Sequence, residues 1–197
     1  WRYEIGAYVP RESYEVYINA TNGHLIKINS MSVACGQNGS CNTLYNGSQI
    51  ISANWRGAFS WNYNLSDCVN IIANIHTKWY SPHAWTREIT SSSDNWAYED
   101  QHGTTCHWGA ETARDYWYNT WGIKGLDNNK AGVTVMVDDD ELSDNSRFDT
   151  KSNVIQVGTL SSNGSTVGAL DIMGHEYTHG VSKYTAGFTQ DPESWAL

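Results

Sequence analysis

The segment His175-Glu176-Tyr177-Thr178-His179 contains residue types at a spacing that could carry out hydrolytic chemistry. Residues four apart on an α-helix share one face, with Cβ atoms about 5–6 Å apart, so the two imidazoles could bind one Zn²⁺. Glu176 is offset by one residue, so its carboxylate could take a proton from a zinc-bound water without being a ligand. The pattern predicts a zinc site with Glu176 as the catalytic base. The structural alternative is a helix with two exposed histidines and an ion-paired Glu.

The third zinc ligand would define the class of enzyme. In the metzincin pattern a Gly follows the second His by three residues and a third His follows it by six. Those positions are Ser182 and Thr185 in this chain, so the metzincin pattern is excluded. A Glu on a following helix is the remaining possibility.

Hydrophobic periodicity predicts the elements that position this motif. Residues 105–121 have helical spacing, with Thr104 or Thr105 as the cap and Gly122 as the stop signal. Residues 170–184 are predicted to form the second helix. Gly174 lies inside that helix and indicates a close approach by another element, because Gly costs roughly 1 kcal/mol relative to Ala in a helix interior.

The other predicted elements are strands. Alternation over residues 3–9, and an Asn22-Gly23 turn between residues 14–19 and 24–28, predict a small antiparallel unit at the start of the chain. No helix is predicted between residues 30 and 100. Further strands are predicted at residues 49–53, 69–75, 132–137 and 154–157.

The composition excludes two classes of partner. The 197 residues include 12 Lys and Arg against 21 Asp and Glu, a formal net charge of -9, whereas affinity for nucleic acid needs clustered Lys and Arg. No apolar run approaches the ~20 residues that span a bilayer. We therefore expect neither a nucleic-acid partner nor a membrane partner.

The surface composition is typical of an extracellular protein. Lys is scarce, and five Asn-x-Ser/Thr sequons occur, although Asn-rich loops also produce sequons by composition alone. The four Cys residues form no C-x-x-C pair, so two disulfides and free buried thiols both stay open as alternatives. We expect a secreted protein whose signal peptide is not in this chain.

Two segments resemble a known family of enzymes. Residues 171–181, followed by Tyr184-Thr185-Ala186-Gly187, resemble the active-site helix of the thermolysin-like (bacillolysin) neutral metallopeptidases, which are of the gluzincin type. His107-Trp108-Gly109-Ala110-Glu111, with Asp115-Tyr116 and the Asp127-Asn128-Asn129 turn, resembles the first long helix of that family and its exit. Zn²⁺ and a structural Ca²⁺ are the cofactors that the resemblance implies.

The resemblance assigns roles to individual residues. His175 and His179 match the zinc ligands, and Glu176 matches the catalytic base. Asp171 matches a carboxylate that helps to bind calcium, a role compatible with a favourable interaction between a first-turn Asp and the helix dipole. Asn145-Ser146 falls where the family has an Asn-Ala edge segment that pairs with substrate backbone; a surface loop without that role is the alternative.

The resemblance also implies an α+β fold and a domain order. Residues 1–31 match the C-terminal part of a pro-segment, including its last β-hairpin, and residues 32–182 match the mixed N-terminal α/β domain with its long first helix and active-site helix. Residues 183–197 match the start of a helical C-terminal domain that is otherwise absent. The family register places the third ligand, a Glu, beyond Leu197. We therefore expect this chain by itself to be incomplete and inactive.

The sequence thus predicts a secreted zinc metalloendopeptidase, made as a zymogen, in which Glu176 activates a zinc-bound water. Its expected partners are protein or peptide substrates, and the full-length protein is expected to be a monomer. The alternative is a non-catalytic secreted carbohydrate-binding or adhesion module, because ten Trp and twelve Tyr could form exposed stacking platforms. Core packing is the more ordinary role of such aromatic residues.

Overall fold

The computed structural model describes residues 2–8, 11–30, 37–56, 62–67, 72–81, 87–96 and 100–187. These residues form an α+β fold with two helices and three sheets. The elements in chain order are β1 (Arg2–Tyr8), β2 (Arg11–Ile18), β3 (Leu25–Ser30), β4 (Gln37–Thr43), β5 (Gly47–Trp55), β6 (Tyr63–Asn64), β7 (Ser66–Asp67), β8 (Ile75–Trp79), β9 (Arg87–Glu88), β10 (Thr90–Ser91), α1 (Gln101–Trp121), β11 (Val133–Val137), β12 (Ser146–Asp149), β13 (Val154–Val157) and α2 (Leu170–Thr185).

The first sheet is the antiparallel unit predicted for the start of the chain. Its strand order is β1-β2-β3, with Ile5 opposite Tyr14 in the first pair. Gly23 has a positive φ of 71°, and the Asn19 side chain accepts a hydrogen bond from the Thr21 backbone N–H. Gly tolerates this φ without steric cost, which is why the Asn22-Gly23 pair marks the turn.

The third sheet positions the motif. Its strand order is β12-β13-β11-β8-β7, with β9 paired to β8. Strand β11 runs parallel to both β13 and β8, and its residues Val133, Val135 and Val137 are buried. Strand β12 is antiparallel to β13 and lies at the end of the strand order, so none of the other described strands pairs with its outer edge. The second sheet has the order β10-β6-β5-β4.

The two helices pack closely against each other. A Cβ placed on Gly109 of α1 would lie 2.8 Å from Met173 Cγ of α2, so only Gly allows this approach. Trp117 Nε1 of α1 also donates a hydrogen bond to Thr178 Oγ1 of α2 (3.3 Å). No helix within the described residues is long and apolar enough to cross a membrane.

Gly122 ends α1 as predicted, with a left-handed φ of 72°. The predicted start of α1 was wrong, because the helix begins at Gln101 with Asp100 at the N-cap and no side-chain cap. The Thr105 hydroxyl accepts a hydrogen bond from Leu44 N–H (2.9 Å) instead of capping the helix. The Thr105 side chain, which the local sequence pattern assigned to the N-cap, is therefore used in a tertiary contact.

Two further predictions need correction. The strand expected at residues 69–75 begins only at Ile75, although residues 68–71 lie outside the described residues. A Cβ on Gly174 would meet no atom within 4 Å among the described residues, so none of the described elements approaches it. The close contact is at Gly180, where a Cβ would lie 2.7 Å from Leu126 Cδ2 and 2.9 Å from Phe148 Cζ.

Cys41 and Cys106 are buried free thiols, which is the second of the two alternatives for the cysteines. Cys35 and Cys68 lie outside the described residues.

Candidate metal site and substrate cleft

The hydrophobic period of α2 determines which of its residues face solvent. Met173, Tyr177 and Val181 recur every four residues and are buried against the rest of the domain. His175 and His179 lie off this buried stripe, and both are exposed. The helix therefore presents both imidazoles on an open face while it is anchored by the opposite one.

The two imidazoles converge on one point. His175 Nε2 and His179 Nε2 lie 2.9 Å apart, and the two rings are perpendicular with centroids 4.5 Å apart. Two nitrogen ligands of a tetrahedral zinc, each at 2.0–2.1 Å, lie roughly 3.3 Å apart. The pair therefore fits the first two positions of a zinc site. Within the described residues, no group of three or more His, Cys, Asp or Glu side chains could complete one.

Glu176 lies beside this pair, and its side chain extends towards edge strand β12. Its exposed fraction is 5%, and its Oε1 accepts a hydrogen bond from Ser146 Oγ at 2.8 Å. Ser146 is the first residue of edge strand β12, thirty positions earlier in the chain. The carboxylate is therefore held at the junction between α2 and the edge of the third sheet.

A cavity of about 480 Å³ opens at this junction. It brings together five residues that the sequence analysis singled out, which are Asn145, Ser146, Asp171, His175 and Glu176. His179 is not among the residues that line the cavity, but its Nε2 contacts His175, which is. A volume of this size is typical of a ligand pocket in proteins.

Three residues of the cavity wall were missed from sequence, namely Asp144, Val167 and Ile172. Hydrogen bonds from Ser161 hold the pKa of Asp144 below its usual range, so this wall is negatively charged at neutral pH. Asp144 has a positive φ of 55°, and no periodicity in the sequence signals such a turn. Only the neighbouring residue Asn145 carried a signal, and that signal came from the family resemblance.

Gly158 helps to position the loop that precedes β12. A Cβ at this residue would lie 1.6 Å from Leu142 O, so only Gly allows the chain to cross there. Gly158 N–H also donates to Asn145 O at 3.1 Å. The loop before β12 is thereby tied to β13, and Asn145 and Ser146 are placed at the cavity.

A second group of titratable residues lies inside α1, away from the cavity. His107 is 0% exposed, with Nε2 3.0 Å from Ser52 O and Nδ1 2.8 Å from Thr77 Oγ1. Glu111 accepts hydrogen bonds from Ser52 N–H on both of its oxygens, at 3.2 Å each. Arg114 forms a buried ion pair with Asp67. The sequence analysis noted His107 and Glu111 only for their resemblance and did not predict this cluster.

Burial shifts the pKa values of His107 and Glu111 in opposite directions. Loss of hydration lowers the pKa of His107 to about 3, and it raises the pKa of Glu111 to about 8. Both groups are therefore predominantly neutral at pH 7. With a proton on Nε2, the neutral imidazole donates to Ser52 O and accepts from Thr77, so it has no lone pair left for a metal.

Comparison with known proteins identifies relatives of this chain. Residues 38–183 match the family described as thermolysin metallopeptidase, catalytic domain. Neutral protease B of Bacillus subtilis is 26% identical over 194 residues, which cover 93% of this chain and 35% of that protein. The transglutaminase-activating metalloprotease of Streptomyces mobaraensis is 30% identical over 95 residues, which cover 48% of this chain and 12% of that protein.

Among solved structures, the precursor of protealysin, a metalloproteinase from Serratia proteamaculans, superposes with a TM-score of 0.49 and 16% identity. That match covers 66% of this chain and 40% of the protealysin precursor. This chain thus spans about a third of the length of Neutral protease B (35%). The family match at residues 38–183 includes β5, α1, all but the last two residues of α2 and the whole H-E-x-x-H segment. The chain therefore belongs to the thermolysin metallopeptidase family.

Proposed function

We propose that this chain carries part of the active site of a secreted zinc-dependent metalloendopeptidase. One observation carries the proposal: His175 and His179 converge on an open helix face beside a cavity, with the Glu176 carboxylate between them and the edge of a sheet. The family relationship supports the same chemistry. Protein or peptide chains are the substrates, and the full-length protein is proposed to act as a monomer.

The substrate is proposed to bind along β12. This strand lies at the end of its sheet, and Ser146 at its start lines the cavity together with Asn145. An extended peptide could add to such an edge through main-chain hydrogen bonds, which do not depend on the side chains of the peptide. Pairing along β12 would carry the scissile bond past the two histidines.

His175 and His179 would hold the zinc through their Nε2 atoms. Zinc, when bound, supplies a Lewis acid that polarises the scissile carbonyl and favours loss of a proton from the attacking water. Glu176 takes that proton on its carboxylate and then delivers it to the nitrogen of the leaving amine.

Three elements of the full enzyme are proposed from the family resemblance. The third zinc ligand is proposed to be a Glu beyond Leu197, where the family register places it. Within the described residues, no third metal-binding side chain joins the two histidines. Asp171, in the exposed first turn of α2, is proposed to bind a structural calcium. Residues 1–31 are proposed to be a pro-segment, and the separate sheet formed by β1, β2 and β3 supports this division.

The alternative, a carbohydrate-binding or adhesion module, needs exposed aromatic platforms. Among the tryptophans within the described residues, only Trp121 is exposed, whereas Trp96 is buried in the core and four others are half-buried. The half-buried tryptophans are Trp55, Trp79, Trp108 and Trp117. Packing inside the domain therefore accounts for five of the six described tryptophans, whereas Tyr45, Tyr116 and Tyr184 are exposed.

The test compares Glu176→Gln with His179→Ala in the full-length protein that contains this chain. We expect Glu176→Gln to keep its zinc and to lose turnover, because an amide cannot accept the proton. We expect His179→Ala to lose zinc and activity together, because one imidazole cannot compete for the metal. Zinc content by mass spectrometry and cleavage of a quenched peptide give the two readouts. Substantial cleavage by Glu176→Gln would remove Glu176 from the mechanism.

A further inference from the structure

The Ser146 hydroxyl makes a contact that peptide pairing along the edge strand does not require. It donates a hydrogen bond of 2.8 Å to Oε1 of Glu176. No other hydrogen bond to this carboxylate occurs among the described residues. The main chain of Ser146 is separately paired with β13, opposite Val157. The side chain and the main chain of Ser146 therefore have different partners.

A single hydrogen bond is enough to orient a glutamate carboxylate. The last torsion of a Glu side chain is broad and roughly two-fold, so an unrestrained carboxylate rotates over a wide range. A donor on one oxygen removes most of that freedom and leaves the second oxygen directed at other partners. We propose that Ser146 is a positioning residue, which holds Oε1 of Glu176 so that Oε2 faces the reacting water and the leaving amine. This inference rests on the proposed peptidase function.

The junction between α2 and the β12–β13 hairpin has several contacts besides this hydrogen bond. The Phe148 ring of β12 packs against Gly180 of α2. Lys183 of α2 donates hydrogen bonds to Thr150 O and to Asn153 Oδ1, in the turn between the two strands. The hairpin is thus anchored at its far end, so loss of the Ser146 hydroxyl should affect the carboxylate more than the fold.

The experiment uses an isosteric pair of variants, Ser146→Thr and Ser146→Val, in the zinc-loaded full-length protein. The two new side chains have the same shape, and only Thr keeps a hydroxyl. We expect Ser146→Val to lower kcat by about tenfold to a hundredfold, because misplacement of a catalytic group by 1 Å costs on this order. We expect its KM to change less than about twofold, since the carboxylate acts on the reacting atoms. Ser146→Thr should retain most of the parent kcat.

The matched control is Ser152→Ala. Ser152 also donates its hydroxyl to a carboxylate, that of Asp149, but it lies on the exposed turn of the same hairpin. We expect the control to leave kcat, KM and zinc content unchanged. Equal kcat values for Ser146→Thr and Ser146→Val would overturn the positioning role. A loss of zinc or of thermal stability that parallels the loss of rate would also overturn it, in favour of a structural role.

A second readout does not depend on activity. In the metal-free protein, the shifts in Tm caused by Ser146→Ala and Glu176→Ala should be non-additive, because the two side chains contact each other. Additive shifts would show that the contact is not formed, and the inference would fail. A different outcome would separate the two proposals. If the shifts are non-additive but Glu176→Gln still cleaves peptide, the hydrogen bond exists but orients a carboxylate that is not the base, and the proposed function fails.

Discussion

Helices α1 and α2 each carry two titratable side chains at a four-residue spacing, in opposite environments. In α1, His107 and Glu111 are separated by four residues, and both are buried. In α2, His175 and His179 have the same separation, and both are exposed. The neutral His107 ring donates a hydrogen bond to Ser52 O and accepts one from Thr77 Oγ1. The Nε2 atoms of the α2 pair face each other at the helix surface.

The difference teaches that spacing alone does not identify a metal ligand. A helix places any i, i+4 pair on one face, but the lone pairs must also be free of protein donors. The cluster in α1 is a polar network inside the core, and burial moves the pKa of both of its titratable groups so that they are predominantly neutral. The Nε2 atoms of the α2 pair contact each other at 2.9 Å on the open face of the helix, where a metal ion could replace that contact.

The largest expected effect is the difference between removing a histidine of α2 and removing the buried histidine of α1. His175→Ala should abolish stoichiometric zinc binding in the full-length protein, while the Tm of the metal-free protein changes by only a few degrees. His107→Ala should lower the free energy of unfolding by about 2–4 kcal/mol, because it leaves a cavity and unpaired groups at Ser52 and Thr77. Differential scanning calorimetry and zinc titration measure the two effects. A stable, zinc-free His107→Ala protein would reverse the assignment.

The α1 cluster should also produce a characteristic pH dependence of stability. The pKa of His107 is lowered from 6.5 to about 3, so its contribution is present above pH 6.5 and is lost as the pH falls towards 3. The pKa of Glu111 is raised from 4.5 to about 8, so its contribution is present below pH 4.5 and is lost as the pH rises towards 8.

Each group contributes a slope of about 1.4 kcal/mol per pH unit within its own range. The two slopes cancel between about pH 4.5 and 6.5, so we expect a plateau of stability there and a decline on either side. Urea titrations across this range measure the curve for the metal-free protein. Glu111→Gln should remove the decline above pH 6.5 and retain the decline below pH 4.5, and a decline above pH 6.5 that persists in this variant would contradict the assignment to Glu111.

Substitution of glycines should separate the packed face of α2 from its open face. Gly180→Ala should destabilise the metal-free protein by about 1–3 kcal/mol, because the added methyl would overlap Leu126 and Phe148. Gly174→Ala should be neutral or stabilise by up to about 1 kcal/mol, since it adds helix propensity in open space. Chemical denaturation of both variants gives the comparison. Equal destabilisation would mean that the face carrying Gly174 is also packed.

The smallest expected effect concerns the thiol next to His107. Burial raises the pKa of Cys106 to about 12, and burial likewise raises the pKa of Cys41 to about 11. Their thiolate fractions at pH 8 should fall by roughly a hundredfold or more relative to a free Cys. We expect both thiols to resist a water-soluble maleimide until the protein is unfolded, as measured by peptide mapping. Rapid labelling of Cys106 in the native protein would show that α1 opens.

The sequence by itself determined the local features of this protein. The H-E-x-x-H spacing, the buried period of Met173, Tyr177 and Val181, and the turn at Gly23 all depend on residues within a few positions of each other. Such features follow from helix geometry and backbone sterics, which neighbouring residues decide. The extents of β11, β13 and α2 were predicted to within a residue for the same reason.

Only the tertiary structure decided which side chains meet across long separations. Thr105 bonds to Leu44 rather than capping α1, His107 is enclosed by Ser52 and Thr77, and Ser146 reaches Glu176. The partners in these contacts are 30 to 61 residues apart in the chain. Their positions depend on how the sheets and helices pack, which no local propensity encodes. Packing therefore buried His107 of α1 in the core and left His175 and His179 of α2 exposed at the surface of the domain.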